Sequence, residues 1–226
     1  MVFIVVCGTD GSGKATQVNL LRERLIKEGH DIITTDFPRY GEDSAKMVEN
    51  YLNGKFGTAD EVGPYRGSIL YAIDRWAASF QMKKWIKEGK IILSNRYVSA
   101  NKGHQTAKIS DPAERDRFLD WLNNLEYNIF EIPKEDLNVL LYVPPEIGQK
   151  LVENKEARSY TGKKKDIHEA DINHLRKAAQ AYRYVAEKES WKIIDCTRDG
   201  KLLTISEIND KLYDAVKGHL PSADKS

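Results

Sequence analysis

Short apolar runs, rich in β-branched residues, alternate along this chain with longer segments of mixed polarity. A short continuous apolar run is typical of a strand that is buried on both faces of a parallel sheet. By this criterion the sequence predicts five strands, at residues 2–7, 31–36, 90–95, 137–143 and 191–196.

The segments between these runs carry apolar residues at helical spacing. Val18, Leu21 and Leu25 show this spacing within residues 15–28, and Gly29 ends the pattern. Similar patterns predict helices at residues 45–52, 65–88, 112–125, 145–153, 169–188 and 203–217. Because strands alternate with helices, we expect an α/β fold in three layers, in which helices cover both faces of a five-stranded parallel sheet.

Two loops and the C-terminal residues differ from this pattern. Residues 38–43 follow the second predicted strand, and residues 154–166 join two predicted helices. The second loop contains Gly162 and is basic through Lys155, Arg158, Lys163, Lys164 and Lys165. Such a charge run is usually a solvated surface, but a flexible basic loop can also bring positive charge to a phosphate. Residues 221–226 are polar, and we expect a frayed tail.

Composition narrows the possible classes of protein. The 226 residues include 35 Lys+Arg and 34 Asp+Glu, and the net charge of +1 argues against a polybasic nucleic-acid coat. A hydrophobic content of 41% argues against disorder. Cys7 and Cys196 are too far apart for a CxxC metal pair, and the apolar runs are shorter than the ~20 residues of a membrane span. We therefore expect a soluble, reduced, cytoplasmic protein without nucleic-acid or membrane partners.

The first predicted strand leads into a phosphate-binding motif. Gly8-Thr-Asp-Gly-Ser-Gly-Lys14 has the G-x-x-x-x-G-K spacing of a P-loop, between a buried strand and a helix. The glycines let backbone N–H groups turn toward phosphate oxygens, and the lysine adds positive charge at the β- and γ-phosphates. The residues expected to bind ATP are Gly8, Thr9, Asp10, Gly11, Ser12, Gly13, Lys14, Ala15 and Thr16.

One position departs from the P-loop pattern. A Ser or Thr normally follows the lysine and binds Mg²⁺ through its hydroxyl, whereas this chain has Ala15. Thr16 lies about 100° further around the helix, so it does not simply replace the missing ligand. We still expect Mg²⁺ to be required with ATP, because charge on the transferring phosphoryl group has to be neutralised.

Further motifs follow the P-loop along the chain. They are Phe37-Pro-Arg-Tyr-Gly41, Leu70-Tyr-Ala-Ile-Asp-Arg75, Asn95-Arg-Tyr97 with Asn101, and Asp166-Ile-His-Glu169. With these motifs the chain resembles the thymidylate kinase family of nucleoside monophosphate kinases over nearly its whole length. The resemblance implies transfer of the ATP γ-phosphoryl group to dTMP, giving dTDP for dTTP biosynthesis. It also implies one P-loop kinase domain at 1–220, comprising the P-loop and first two strands at 1–36, an acceptor-nucleotide site at 37–105 and a mobile basic lid at 154–166.

The resemblance gives roles to residues at the sugar and phosphate end of the acceptor. Asp10 accepts a hydrogen bond from the sugar 3′-hydroxyl, although it could instead only pair with Lys14. Arg39 and Tyr40 hold the 5′-phosphate and cover the sugar, where the alternative is that Arg39 is solvated. The resemblance also implies that Arg96 bridges the donor and acceptor phosphates. The full set expected to bind substrate is Asp10, Phe37, Arg39, Tyr40, Tyr71, Arg75, Arg96, Asn101 and Gln105.

The remaining members of this set lie at the base end. Tyr71 and Arg75 are four residues apart on one helix face, and the resemblance implies that the ring stacks on thymine while the guanidinium bonds its carbonyl. Asp74 is expected to orient Arg75. The amide of Asn101 meets the Watson–Crick edge of the base. His104 is either a further contact or a packed loop residue.

The metal site and the lid are the least regular parts of the resemblance. The family aspartate before Arg96 is Asn95 here, so the usual metal groups are missing at both Ala15 and Asn95. The metal ligands are therefore unknown, with Asp166 and Glu169 as candidates. The P-loop has Gly11 where some family members carry arginine, which implies that the lid provides the basic residues. The expected catalytic residues are Lys14, Arg96, Arg158 and Lys163, with Lys165 as a further candidate.

Two interpretations stay open beside this one. The chain could phosphorylate another (deoxy)nucleoside monophosphate, or it could be a P-loop regulatory protein that binds nucleotide without turnover, which Ala15 and Asn95 would favour. The resemblance further implies a homodimer formed through helix 65–88, although core packing explains much of its apolar pattern. The apolar residues of that helix are Ile69, Leu70, Ile73, Trp76, Phe80 and Trp85.

Overall fold

Five parallel strands form a central sheet in a computed structural model of the chain, which describes residues 2–153 and 172–222. The strands are β1 (Val2–Cys7), β2 (Ile32–Asp36), β3 (Ile91–Asn95), β4 (Leu137–Tyr142) and β5 (Lys192–Asp195). Their order across the sheet is β2-β3-β1-β4-β5. The α/β fold expected from the sequence is confirmed, and each strand lies within one residue of its predicted bounds.

Helices pack on both faces of the sheet. They are α1 (Lys14–Lys27), α2 (Lys46–Leu52), α3 (Ala59–Lys87), α4 (Val98–Thr106), α5 (Pro112–Asn123), α6 (Pro145–Glu153), α7 (Ile172–Lys188) and α8 (Ile205–Val216). A π-helical turn at Asn124–Ile129 extends α5, and a short hairpin joins β6 (Thr197–Arg198) to β7 (Lys201–Leu202). No helix in the described ranges is long and apolar enough to cross a membrane.

The alternation of side chains along β1 explains the three layers. Phe3 and Val5 pack with the helices α3, α4, α5 and α7 on one face of the sheet. Ile4 and Val6 pack with α1 and α8 on the other face. All four side chains are fully buried, which is why this strand appears in the sequence as one continuous apolar run.

Two helices differ from the prediction. The sequence did not predict α4, because its buried positions are largely polar and leave no apolar period. The helix predicted at 65–88 begins earlier, where Thr58 and Glu61 form a reciprocal capping box, and it bends at Gly63. A side chain at Gly103 of α4 would overlap the ring of Tyr182 on α7, so these two helices approach each other closely.

The carboxyl ends of β1, β2 and β3 lie side by side. In the parallel register, Asp36 at the end of β2 pairs with Asn95 at the end of β3, and Asn95 pairs with Val6 of β1. The segments that leave these three ends carry the P-loop, the Phe37-Pro-Arg-Tyr motif and Arg96. The topology therefore brings three motifs that are distant in sequence to one edge of the sheet, where open α/β sheets bind ligands.

Candidate active site

The P-loop connects β1 to α1 in the strand–turn–helix context that the motif requires. Gly8, Gly11 and Gly13 adopt φ values of 148°, 80° and 77°, a region that favours glycine. The Lys14 ammonium donates hydrogen bonds to the Thr9 carbonyl oxygen at 2.8 Å and to Ser12 Oγ at 3.4 Å. The loop therefore encloses its own positive charge and presents it to an anion at the start of α1.

The Gly11 backbone packs directly on α6. A Cβ at this position would overlap the backbone of Gly148, so the loop has no space for a longer side chain at Gly11. This packing agrees with the expectation that basic residues do not come from the P-loop itself. Arg158, Lys163 and Lys165, which were expected to provide positive charge from the lid, lie outside the described residues. The candidate metal ligands Asp166 and Glu169 lie outside them as well.

Arg96 and Asp10 form an ion pair at the carboxyl edge of the sheet. The Arg96 guanidinium donates to Asp10 Oδ1, and the two side chains are 14% and 8% exposed. Burial alone would lower the pKa of Arg96, but the carboxylates of Asp10 and, more weakly, Asp36 raise it above its usual value. The guanidinium therefore stays charged at this edge.

The backbone of Arg96 is held in an unusual conformation. Its φ of 64° lies in the left-handed region, which costs a non-glycine residue about 1–2 kcal/mol. Its N–H donates to the Val6 carbonyl oxygen at 2.9 Å, and this bond fixes the residue beside the P-loop. Strain of this kind is concentrated at functional sites, where it sets the direction of a side chain.

A cleft extends from this ion pair along α3 and α4. Eight of the nine substrate-binding residues expected from the sequence line it, and Arg39 does not. Pro38, Tyr97 and Ala100 also line the cleft and were not expected. His104 lines it from α4, so the interpretation of His104 as a loop residue is wrong. The full lining is Asp10, Phe37, Pro38, Tyr40, Tyr71, Arg75, Arg96, Tyr97, Ala100, Asn101, His104 and Gln105.

Arg75 is oriented by a glutamate that the sequence did not indicate. Its Nε donates to both carboxylate oxygens of Glu126, at 3.0 and 3.1 Å, and its Nη2 also donates to Oε1. The side chains are 1% and 0% exposed. Glu126 lies in the π-helical turn, 51 residues from Arg75. The expectation that Asp74 orients Arg75 is therefore wrong.

Asp74 instead holds Arg39. Its carboxylate accepts hydrogen bonds from the Arg39 backbone N–H at 2.8 Å and from its Nε at 3.0 Å. Ser44 accepts from Arg39 Nη2 at 2.8 Å and donates to Asp74 Oδ1 at 2.7 Å. Arg39 is thus fixed on the loop after β2, and the alternative of a freely solvated side chain is wrong.

Two amides of α4 form the far wall of the cleft. Asn101 Nδ2 donates to the Ser68 carbonyl oxygen at 3.1 Å, which leaves its carbonyl side for other contacts. Gln105 is 1% exposed, and its Oε1 has no hydrogen-bond partner in the described part of the chain. A buried acceptor without a partner is costly, so this oxygen is suited to a ligand N–H. Tyr71, which lines the cleft from α3, packs edge-on against Tyr51, with 6.2 Å between ring centroids.

A second cavity, of about 190 Å³, lies between α1 and the ends of β2 and β3. Both positions that lack the usual metal-site group, Ala15 and Asn95, line it, whereas Thr16 does not. Asp36 lines it as well and accepts a hydrogen bond from Asn95 Nδ2 at 2.9 Å. Asp36 was missed because its role depends on strand register rather than on a local motif.

The chain is similar to proteins of one family. A family model described as thymidylate kinase matches residues 6–206. Thymidylate kinase from Mycobacterium tuberculosis is 27% identical over 82% of this chain and 86% of its own length. A probable thymidylate kinase from Pyrobaculum aerophilum is 28% identical over 88% and 90%. The fold is similar to a solved thymidylate kinase from Candida albicans, with a TM-score of 0.72 at 20% identity over 96% of this chain and 92% of that one.

Proposed function

Because the chain belongs to the thymidylate kinase family, we propose that it transfers the γ-phosphoryl group of ATP to dTMP and releases ADP and dTDP. One observation carries the proposal. The cleft is lined by the charged pair of Arg96 and the P-loop residue Asp10, and by Tyr71 and Arg75 of α3 and Asn101 and Gln105 of α4, which we assign to the base. This arrangement suits a nucleoside monophosphate whose phosphate points toward the P-loop. We further propose that residues 1–220 act as one kinase domain.

The ion pair of Arg96 and Asp10 suggests which contacts change when the acceptor nucleotide binds. In the free protein the Arg96 guanidinium is bonded to Asp10. The acceptor phosphate is a stronger partner for this guanidinium, since Arg binds phosphate bidentately. Its arrival would free the Asp10 carboxylate to accept a hydrogen bond from the sugar 3′-hydroxyl. We therefore propose that acceptor binding exchanges an internal ion pair for two contacts with dTMP.

The cleft residues on α3 and α4 would recognise the base. The Arg75 guanidinium, fixed by Glu126, would donate to a thymine carbonyl, and Gln105 Oε1 or the Asn101 carbonyl would accept from the ring N–H. Tyr71 provides a flat apolar surface for stacking. A site with such fixed donors and acceptors discriminates strongly between hydrogen-bonding patterns, but discriminates a lone methyl by only about 1–3 kcal/mol.

Catalysis in this proposal consists of positioning and charge stabilisation. The acceptor phosphate is already an anionic nucleophile, so no protein general base is required. Lys14 and Arg96 would hold phosphate oxygens, and the lid residues Arg158 and Lys163 would add positive charge in the transition state. Mg²⁺ bound with ATP would neutralise charge on the phosphates. Replacement of Lys163 or Arg158 by alanine should lower kcat at least about tenfold with little change in dTMP affinity, as expected for groups that act mainly in the transition state.

An ADP-release assay tests the proposed reaction. The enzyme with Mg²⁺ and ATP is given dTMP, dUMP, dCMP, dGMP or thymidine, and Lys14→Ala serves as the control. We expect dTMP to be the best acceptor, with dUMP about 10- to 200-fold less efficient because of the missing methyl group. A preferred acceptor other than dTMP would support a different nucleotide kinase. ADP release with dTMP that does not exceed the Lys14→Ala background would support a regulatory protein.

We propose a homodimer that forms through α3. Ile69, Ile73, Trp76 and Phe80 are exposed at 38%, 39%, 43% and 57%, and their spacing places them on one face of that helix. An exposed apolar stripe of this length on a helix is typical of a protein interface. We also propose a cytoplasmic location, in keeping with the unpaired thiols of Cys7 and Cys196.

A further inference from the structure

The cavity beside the P-loop is lined by oxygen-bearing side chains and by both positions at which the usual metal-site groups are missing. Ala15 and Asn95 both line it, and neither offers a charged oxygen. Asp36 lines the same cavity at the end of β2, and it is an exposed residue. The parallel register β2–β3 pairs Asp36 with Asn95, so the carboxylate stands directly next to the position where the family has its aspartate.

The hydrogen bond between these two residues sets the direction of the Asn95 amide. Its Nδ2 donates to Asp36 Oδ2 at 2.9 Å, so its Oδ1 has to point elsewhere. Asn95 is only 7% exposed, and this Oδ1 is buried without a hydrogen-bond partner among residues 2–153 and 172–222. A buried acceptor in this state requires a donor or a cation, or a water bound to one.

The donor set fits Mg²⁺ bound with a nucleotide. Mg²⁺ prefers oxygen ligands, keeps several waters, and in kinase sites is held by one or two carboxylates together with substrate phosphates. The described residues contain no cluster of three or more Asp, Glu, His or Cys that could hold a metal alone. One carboxylate and one amide oxygen beside a P-loop match a site that the phosphates of ATP complete.

We propose that Asp36 supplies the carboxylate of the magnesium site, with Asn95 Oδ1 as its neutral partner, so that the negative charge has moved from the end of β3 to the end of β2. The proposal rests on the proposed kinase function, because the metal is the one that accompanies ATP. The side chains that line the site then carry a net charge of minus one, because Asp36 is the carboxylate and Asn95 is neutral. In this proposal the site is rebuilt rather than lost, so Ala15 and Asn95 do not by themselves favour a protein without turnover.

Metal binding can be separated from turnover by measuring Mn²⁺ in place of Mg²⁺. Free Mn²⁺ is followed by electron paramagnetic resonance in the presence of enzyme and a non-hydrolysable ATP analogue, without an acceptor. We expect Asp36→Asn to raise the Mn²⁺ dissociation constant of this complex at least fivefold, while binding of the analogue in EDTA changes less than twofold. Asn at position 36 can still bond Asn95, so a purely structural role would leave Mn²⁺ binding unchanged. That unchanged result would overturn the proposal.

Two further variants control the interpretation. Asp31→Asn removes the same charge at the opposite end of the strand, outside the cavity, and should bind Mn²⁺ like the wild type. An equal loss in Asp31→Asn would show a general charge effect and overturn the proposal. The double variant Asp36→Asn with Asn95→Asp returns one carboxylate to the cavity and should recover Mn²⁺ affinity, and failure to recover also counts against the site. Absence of dTMP turnover in the wild type would refute the proposed reaction and would leave these Mn²⁺ results unaffected.

Discussion

The buried pair of Arg75 and Glu126 makes a strong prediction, because stability and substrate binding depend on it in different ways. Both side chains are almost fully buried, at 1% and 0% exposure. Burial alone would lower the pKa of Arg75, but the Glu126 carboxylate raises it above its usual value, so the guanidinium remains charged inside the protein. Glu126→Gln keeps the shape of the side chain and removes the compensating charge.

The expected cost follows from this burial. Removal of one partner from a buried ion pair typically costs about 3–5 kcal/mol, because the other charge stays buried and uncompensated. A small domain has a total stability of only about 5–15 kcal/mol, so Glu126→Gln should be visibly destabilised. The double variant Arg75→Met with Glu126→Leu removes both charges. It should recover most of the lost stability, because apolar replacement of a buried pair is often neutral or favourable.

Urea unfolding and steady-state kinetics together test this reasoning. The double variant should unfold near the wild-type midpoint but show a KM for dTMP raised at least about tenfold, because a base contact worth about 1.4 kcal/mol or more has gone. The exposed pair of Arg117 and Glu114, joined at 2.7 Å with side chains 64% and 34% exposed, provides the matched control. Arg117→Met should cost at most about 1 kcal/mol.

Two results would refute the reasoning. If Glu126→Gln unfolds within about 1 kcal/mol of the wild type, the pair does not hold a buried charge in solution. If the double variant is stable and still binds dTMP normally, Arg75 is a core residue and the base site lies elsewhere.

Three further predictions concern other parts of the molecule. Burial lowers the pKa of Lys108 to about 8, so above that pH the folded state binds fewer protons than the unfolded state. The free energy of unfolding in urea should therefore rise from pH 8 to pH 10 in the wild type relative to Lys108→Met. The same pH dependence of stability in both proteins would contradict this. Burial raises the pKa of both Cys7 and Cys196 to about 12, so neither thiol should react with a disulfide reagent at pH 8 until the protein is denatured, and a fast native reaction would show that one is accessible. Phe80→Glu should give monomers in sedimentation velocity where Gln81→Glu does not, and two identical profiles would argue against the α3 interface.

The sequence predicted the sheet well and its surroundings less well, for physical reasons. A strand such as β1 is apolar on both faces, so its pattern has one interpretation. The helix α4 was missed because it buries amides such as Asn101 and Gln105, which carry no hydrophobic period. These buried amides line the cleft, so the missed helix also carries two of the four candidate base contacts.

Partners of charged residues were harder to predict than the residues themselves. The motif containing Arg75 suggested its neighbour Asp74 as a partner, yet Asp74 bonds Arg39, and Glu126 comes from a π-helical turn far along the chain. Asp36 lies beside Asn95 because of the register of β2 and β3, and not because of a local motif. Pairings of this kind depend on the folded geometry, and a single sequence without relatives contains no local signal for them.

The close contact between Gly103 and Tyr182 joins α4, which lines the cleft, to α7. The ring occupies the space that a side chain at position 103 would need, so no larger residue fits there unless α4 and α7 move apart. The helix that carries Asn101 and Gln105 therefore packs tightly against α7, the helix that begins directly after residues 154–171. If an occupied base site favours one position of α7, then by thermodynamic reciprocity any change that favours that position raises acceptor affinity by the same free energy. Gly103 thus joins the packing of the candidate base site to the packing of α7.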